Sequence, residues 1–235
     1  MQFNQRTLMT MDEEEYDKIV SRHILLVGVG GVGGAALECL VRFGVKKISV
    51  IDFDTVDITN LNRQIISNTA NIGQLKTDVA VSRALSINPQ CDIKGYNMFL
   101  SAENMDFVGG LRPDYVIDAI DSVKSKLDLI EYCRKNDIKI ISAMGTGNRF
   151  DISGFVIDKV ENTAGNGCGL SRVMRQELRK RGIEGHISLF NTKPPKNKAV
   201  NSSGGRHAPG STVFAPNLAG IMIAQYVCRQ LAEGK

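Results

Sequence analysis

His23-Ile24-Leu25-Leu26-Val27-Gly28-Val29-Gly30-Gly31-Val32-Gly33-Gly34 is an apolar run that breaks into glycine, and its reading decides the fold. The first half predicts a buried strand, and the second a turn from which a helix starts. Val32, Ala35, Ala36, Leu40 and Phe43 recur at helical spacing, and Gly44 stands where a helix would stop. A β-rich run from Lys47 to Phe53 follows, carrying Asp52 and Asp54 at its end. Strand, helix and strand joined by short connections open a doubly wound parallel sheet.

Outward from this unit the alternation continues. Helices are predicted over Thr77 to Ser86 and Val123 to Lys135, and strands near Asp92 to Tyr96, Asp114 to Asp118 and Lys139 to Ser142, with an extended stretch from Gly154 to Val160. Residues 161 to 215 break the pattern with a Gly-rich loop, a basic helix from Arg172 to Arg181 and a Lys/Pro/Gly/Ser-rich stretch from Thr192 to Gly210. A last helix runs from Pro216 to Leu231. The expected fold is α/β, a Rossmann-like, mainly parallel sheet with a basic C-terminal helix and loop extension. The expected organisation is an N-terminal arm over 1–22, a Rossmann-like core over 23–160 and a basic crossover region with the final helix over 161–235, all in one domain.

The 235 residues support a sizeable core, and 43% apolar with 23% charged residues is an ordinary globular balance. No apolar run reaches the ~18 residues that span a bilayer, and the Asp12 to Glu15 acidic run is unlike a signal peptide, so a cytoplasmic protein is expected. Five cysteines without a Cys-x-x-Cys pair predict neither a disulfide framework nor a structural zinc site. Three scattered histidines outline no Ser/His/Asp triad, which argues against a hydrolase. The net charge of +4 is uneven: residues 160 to 235 hold 11 Lys and Arg against 4 Asp and Glu.

A glycine turn opening a helix lets backbone N–H groups approach a phosphate, and the helix dipole favours the anion. Gly28, Gly30, Gly31 and Gly33 form that turn, and Asp52 at the second strand end suits ribose hydroxyls. This much does not separate a dinucleotide from ATP. Asn60, Arg63, Gln64 and Lys76 then bring cations and amides beyond the ribose-binding strand, where a hydride-transfer enzyme has no need of them. ATP has such a need, because Arg and Lys can neutralise charge passing onto pyrophosphate when a carboxylate attacks the α-phosphorus. Asp118-Ala119-Ile120-Asp121-Ser122 ends another strand at the ligand-binding edge, and a hard carboxylate there suits Mg²⁺.

Gly-x-Gly-Gly-x-Gly, Asp-x-Asp, Asn-x-x-Arg-Gln, Gly-Gln-x-Lys and Asp-x-x-Asp occur in this order, and together they resemble the ubiquitin-activating-enzyme-like (ThiF/MoeB/HesA) adenylating family over residues 23 to 122. The resemblance implies Asp52 on the ribose, Asn60, Arg63 and Lys76 on the phosphates, Asp121 on magnesium, and Asp54, Gln64 and Ser122 in the same ATP site. It also implies a homodimer in which an arginine from the partner's N-terminal arm, here Arg6, completes the site. Sulfur-carrier activators of the family usually carry two Cys-x-x-Cys pairs, absent here. The segments Val116 to Lys126, Ser142 to Asp151, Arg172 to Gly182 and Pro209 to Pro216 instead look like the tRNA threonylcarbamoyladenosine dehydratase branch. Two departures from it are Ile152 after Asp151 and Gly169 after Cys168, where proline is usual.

The branch implies ATP-dependent cyclisation of a tRNA-borne threonylcarbamoyladenosine through a carboxyl-adenylate, with Arg63, Lys76, Asp121 and Arg6 as its catalytic set. Arg172, Arg175, Arg179, Lys180 and Arg181 are candidate RNA contacts, joined by Lys193, Lys196, Lys198 and Arg206 downstream. Cys168 is expected to have no covalent role, since a cyclisation needs no enzyme nucleophile. The rival readings are an activator of a ubiquitin-like carrier, a nicotinamide-dependent oxidoreductase and a nucleotide-sensing adaptor; a sulfur-transfer partner is left open.

Overall fold

The computed structural model describes residues 3–196 and 209–234. The helices are α1 (Glu13–Val20), α2 (Gly31–Phe43), α3 (Lys76–Ile87), α4 (Asp106–Leu111), α5 (Val123–Lys135), α6 (Gly169–Lys180) and α7 (Phe214–Ala232). The strands are β1 (His23–Val27), β2 (Lys47–Asp52), β3 (Asp92–Asn97), β4 (Tyr115–Asp118), β5 (Ile140–Ala143), β6 (Phe155–Lys159) and β7 (Ile187–Asn191). They form one seven-stranded sheet in the order β3-β2-β1-β4-β5-β7-β6. All neighbours are parallel except β6, which closes the edge antiparallel to β7. The doubly wound expectation holds.

All five residues of β1 are buried, as a strand covered on both faces requires. Alternation then divides them. Ile24 and Leu26 join Ile48 and Val50 in the core under α1, α2, α3 and α7, while Leu25 and Val27 join Ile51 and Val116 in the core under α4, α5 and α6. The chain order reverses between β1 and β4, so their carboxyl ends splay apart. That is where open α/β sheets bind ligands.

Two segments differ from the sequence-based expectation. The N-terminal segment contains α1, whose Tyr16, Ile19 and Val20 are buried and whose Tyr16 hydroxyl donates to the Phe43 carbonyl at 3.1 Å. Residues 161 to 215 do not leave the sheet: β7 pairs with β5 and β6 inside it. Its five residues lie between glycines and a proline-rich stretch, so a buried strand was masked by its surroundings. Lys198, Arg206, His207 and most of the predicted Thr192 to Gly210 stretch lie outside the described residues. No helix among the described residues is long and apolar enough to cross a membrane.

Candidate nucleotide and adenylation site

A cleft of about 310 Å³ opens at the β1/β4 switch point. Its lining includes Gly28, Gly30, Gly31, Asp52, Asp54, Asn60, Arg63, Gln64, Lys76 and Asp121. Residues from five separate stretches of sequence thus meet around one space. Gly28 adopts φ +89°, and a Cβ there would meet the Ala119 carbonyl oxygen at 2.8 Å, so glycine lets the β1 and β4 loops touch. Gly33 serves differently from expected. A Cβ on it would lie 1.8 Å from the Gly28 oxygen, and it does not line the cleft; it allows α2 to pack against the turn.

The first turn of α2 carries no acidic side chain, and its N-cap is Gly30, so the amides at this end face the cleft without an internal anion. Asp52 is 9% exposed and shapes the turn: its Oδ2 accepts from Val29 N at 2.8 Å and its Oδ1 from Asp54 N at 2.9 Å. Each carboxylate oxygen keeps acceptor capacity for a ribose hydroxyl.

Beyond β2 a short 3₁₀ turn over Ile58–Asn60 is closed at both ends of a capping box: Asp57 accepts from Thr59 N, and the Asn60 side chain accepts from Asp57 N at 3.1 Å. The Thr59 hydroxyl and N–H hold the Asp57 carboxyl below the usual carboxylate range. Arg63 Nη1 donates to the Thr59 carbonyl at 2.8 Å and to Asn62 Oδ1 at 2.9 Å, which fixes the guanidinium at the cleft wall. Asn217 Nδ2 of α7 donates to the Arg63 carbonyl at 3.0 Å and ties this turn to the last helix. Gln64 is buried, and its Oε1 has no partner.

Lys76 is 6% exposed, and its Nζ lies 2.7 Å from Asp54 Oδ2. One donor of the ammonium is thereby used and two remain. Asp121 is exposed in the cleft, whereas Asp118 is wholly buried and paired with Lys126 Nζ at 2.7 Å. Asp118 is therefore a structural group and no candidate ligand. Ser122 sits at the N-cap of α5 without lining the cleft, and Ser125 lines it in its place.

No group of three or more His, Cys, Asp or Glu side chains able to hold a metal occurs among the described residues. An exposed carboxylate such as Asp121 still fits Mg²⁺, which takes one or two carboxylates together with substrate phosphates. Arg6 is exposed, precedes the 3₁₀ turn Thr7–Met9 without a side-chain capping bond and does not line the cleft of its own chain. Cys168 is buried at the N-cap of α6 and is likewise absent from the lining.

No sequence motif announces the apolar wall. Phe53 and Phe99 meet edge to face with centroids 5.0 Å apart, and Met98, Leu100 and Ile120 extend the surface they begin. Phe99 follows β3 with no pattern around it; only the strand order brings it beside β2. Thr146, Ser211 and Pro216 close the opposite side. Of the basic helix, Arg172 and Arg179 are exposed and Arg175 Nη1 donates to Thr163 Oγ1 at 2.9 Å. Lys180 and Arg181 are each paired with Glu177, at 2.7 and 2.8 Å, and Arg181 also approaches Glu131, so they offer an RNA less charge than expected.

A glycine turn at the switch point of a parallel sheet, a buried carboxylate at the end of β2 and an Asn/Arg/Lys wall around one cleft define an α/β protein of the nucleotide-binding class, with the layout of a carboxylate-adenylating enzyme. Residues 4–233 match the ThiF family, and the chain belongs to it. It is 33% identical to the tRNA threonylcarbamoyladenosine dehydratase of Bacillus subtilis, over 97% of this chain and 94% of that protein. The dehydratase of Escherichia coli is 40% identical over 59% of this chain and 52% of its own length. The structure of that Escherichia coli enzyme, TcdA, in complex with AMP superposes with a TM-score of 0.90 at 28% identity, covering 98% of this chain and 95% of that one. The same enzyme in complex with ATP gives 0.85, covering 99% and 97%.

Proposed function

We infer that this protein is an ATP-dependent tRNA threonylcarbamoyladenosine dehydratase. One observation carries the reading: the glycine turn, Asp52, Asn60, Arg63, Lys76 and Asp121 converge on a single cleft, in a chain whose full-length relatives bear that activity in their names. In the reaction the carboxylate of the threonyl side chain attacks the α-phosphorus of ATP and expels pyrophosphate. The carbamoyl group then attacks the resulting acyl-adenylate, closes the ring and releases AMP, for a net loss of one water from the nucleoside. Adenylation replaces hydroxide, a poor leaving group, by AMP.

The α2 amides and Gly30–Gly31 cradle the phosphates, and Asp52 orients the ribose. Arg63 and the free donors of Lys76 stabilise charge passing onto pyrophosphate. The unpartnered Gln64 Oε1 is a buried acceptor available to a nucleotide hydroxyl or amine. Asp121 would hold Mg²⁺, which when bound supplies charge neutralisation to the phosphates. Arg6 would act across a homodimer. A tRNA substrate supports a cytoplasmic location.

With Mg²⁺, ATP and threonylcarbamoylated tRNA, the purified protein should form AMP and pyrophosphate and lower the nucleoside mass by one water. ADP and phosphate as products would overturn the reading. Lys76→Ala, Arg63→Ala and Asp121→Ala should each lower turnover about 10²-fold or more. AMP formation that needs a carrier protein and no tRNA would favour the carrier-activator alternative.

A further inference from the structure

Arg149 is 6% exposed, in the loop that follows β5. Its Nη1 donates to the Lys193 carbonyl, while Nε and Nη2, also buried, have no partner among the described residues. A guanidinium in this position is costly, because buried charges are ordinarily paired and buried donors ordinarily bonded. Asp151, the one carboxylate lining the adjoining chamber among the described residues, is occupied by Lys193 Nζ at 3.0 Å and the Ser153 hydroxyl at 2.7 Å. Burial lowers the proton affinity of Arg149, and Cys168 opposes that shift. A cation with two free donors in a fixed fork thus has no anion opposite it among the described residues.

The chamber has about 270 Å³ and counts Asn148, Arg149, Phe150, Lys193 and Lys196 in its wall. It adjoins the nucleotide cleft through shared segments. Thr146 of the same loop lines the cleft; Asn148 is clasped to Gly210 by bonds of 2.6 and 2.7 Å, and the next residue, Ser211, lines the cleft as well. Beside the chamber Phe150, 67% exposed, meets the half-exposed Phe214 edge to face at 5.7 Å. A buried arginine fork suits a phosphate, and an exposed ring suits an unpaired base.

We propose that Arg149 receives a backbone phosphodiester adjoining the modified nucleotide and that Phe150 stacks the neighbouring base, so that the RNA is registered with the modified side chain over the adenylation cleft. This rests on the dehydratase reading and adds a positioning site to it.

The test measures binding of a threonylcarbamoylated anticodon-arm RNA and of versions carrying one methylphosphonate at each phosphate near the modified nucleotide. Arg149→Gln should weaken binding of the unmodified-backbone RNA about 10- to 100-fold, the range for a charged hydrogen bond. One methylphosphonate should cost the wild type the same factor and the variant nothing further. Phe150→Ala, at an exposed position, should weaken binding several-fold while leaving the response to that methylphosphonate intact. Losses that simply multiply at every phosphate, or no loss in either variant, would overturn the inference. So would weaker binding of a non-hydrolysable ATP analogue without RNA, which would assign Arg149 to the nucleotide. Wild-type protein that forms no AMP with this RNA would instead sink the underlying reading.

Discussion

Lys126 Nζ and Asp118 Oδ2 lie 2.7 Å apart with both side chains wholly buried beneath the cleft. Ser142 Oγ donates to the same Asp118 oxygen at 2.6 Å, His186 Nε2 lies 2.9 Å from Ser142 Oγ, and Asp118 Oδ1 accepts from Ile120 N at 3.1 Å. The chain of bonds links α5, β4, β5 and the start of β7, and its last member holds the loop that leads to Asp121. Lys126→Met should therefore cost about 3–5 kcal/mol of stability, because it strands a buried carboxylate. Asp118→Asn/Lys126→Met together should cost less than Lys126→Met alone. Urea unfolding of the three proteins checks the order, and an additive double variant would contradict it.

His186 gives the same network a pH dependence. Burial, followed by Lys126 and Arg134, pushes its imidazole down to about 3, against ~6.5 in an unfolded chain. The native state holds it neutral, so between these values the unfolded chain binds the extra proton. Stability from this group is intact above ~6.5 and falls as the pH drops toward 3, by up to about 1.4 kcal/mol per pH unit. His23, also lowered by burial, adds in the same direction. His186→Gln should shrink the difference between urea midpoints at about pH 7 and about pH 5 relative to wild type. An unchanged difference would mean that His186 is protonated in the fold.

Arg6 stands away from its own cleft, so its proposed role requires a second chain. Arg6→Ala and Asp121→Ala, each inactive alone, should recover part of the activity when mixed and re-equilibrated, since one site of each mixed dimer is whole. Proven subunit exchange without recovery would place Arg6 outside the reaction.

The paired state of α6 changes which cations an RNA should feel. Arg172 and Arg179 have no ion pair among the described residues, whereas Lys180 and Arg181 are shared with Glu177. Neutralising Arg172 and Arg179 should flatten the salt dependence of tRNA binding by up to about one logarithmic unit for each phosphate left without its cation. Neutralising Lys180 and Arg181 should change it less. Equal effects would show that the RNA pulls these two away from their carboxylates.

The sequence carried the elements whose patterns are local. The glycine turn, the strands ending in Asp52 and Asp118, and α5 all lie where their periodicity put them. Helix α1 was hidden because charged residues outnumber the three it buries, and β7 because its neighbours are loop formers. In the site, the residues with motif spacing were legible and those assembled by topology were not: Phe99 meets Phe53 through the β2/β3 pairing. Lys126 reads as a surface lysine until the buried Asp118 opposite it is seen.

Helix α7 also has a bearing on the order in which the protein is made. Pro216 packs against Gly31, where a Cβ would approach it to 2.9 Å, and Asn217 holds the Arg63 turn. The glycine turn and the Arg63 turn are translated well before α7, yet both are braced by it. A nascent chain still short of Phe214 lacks the helix that packs over α2 and leaves the cleft unbraced. Such a chain is a client for chaperones, and the cleft gains its bracing only once α7 has been made and has docked.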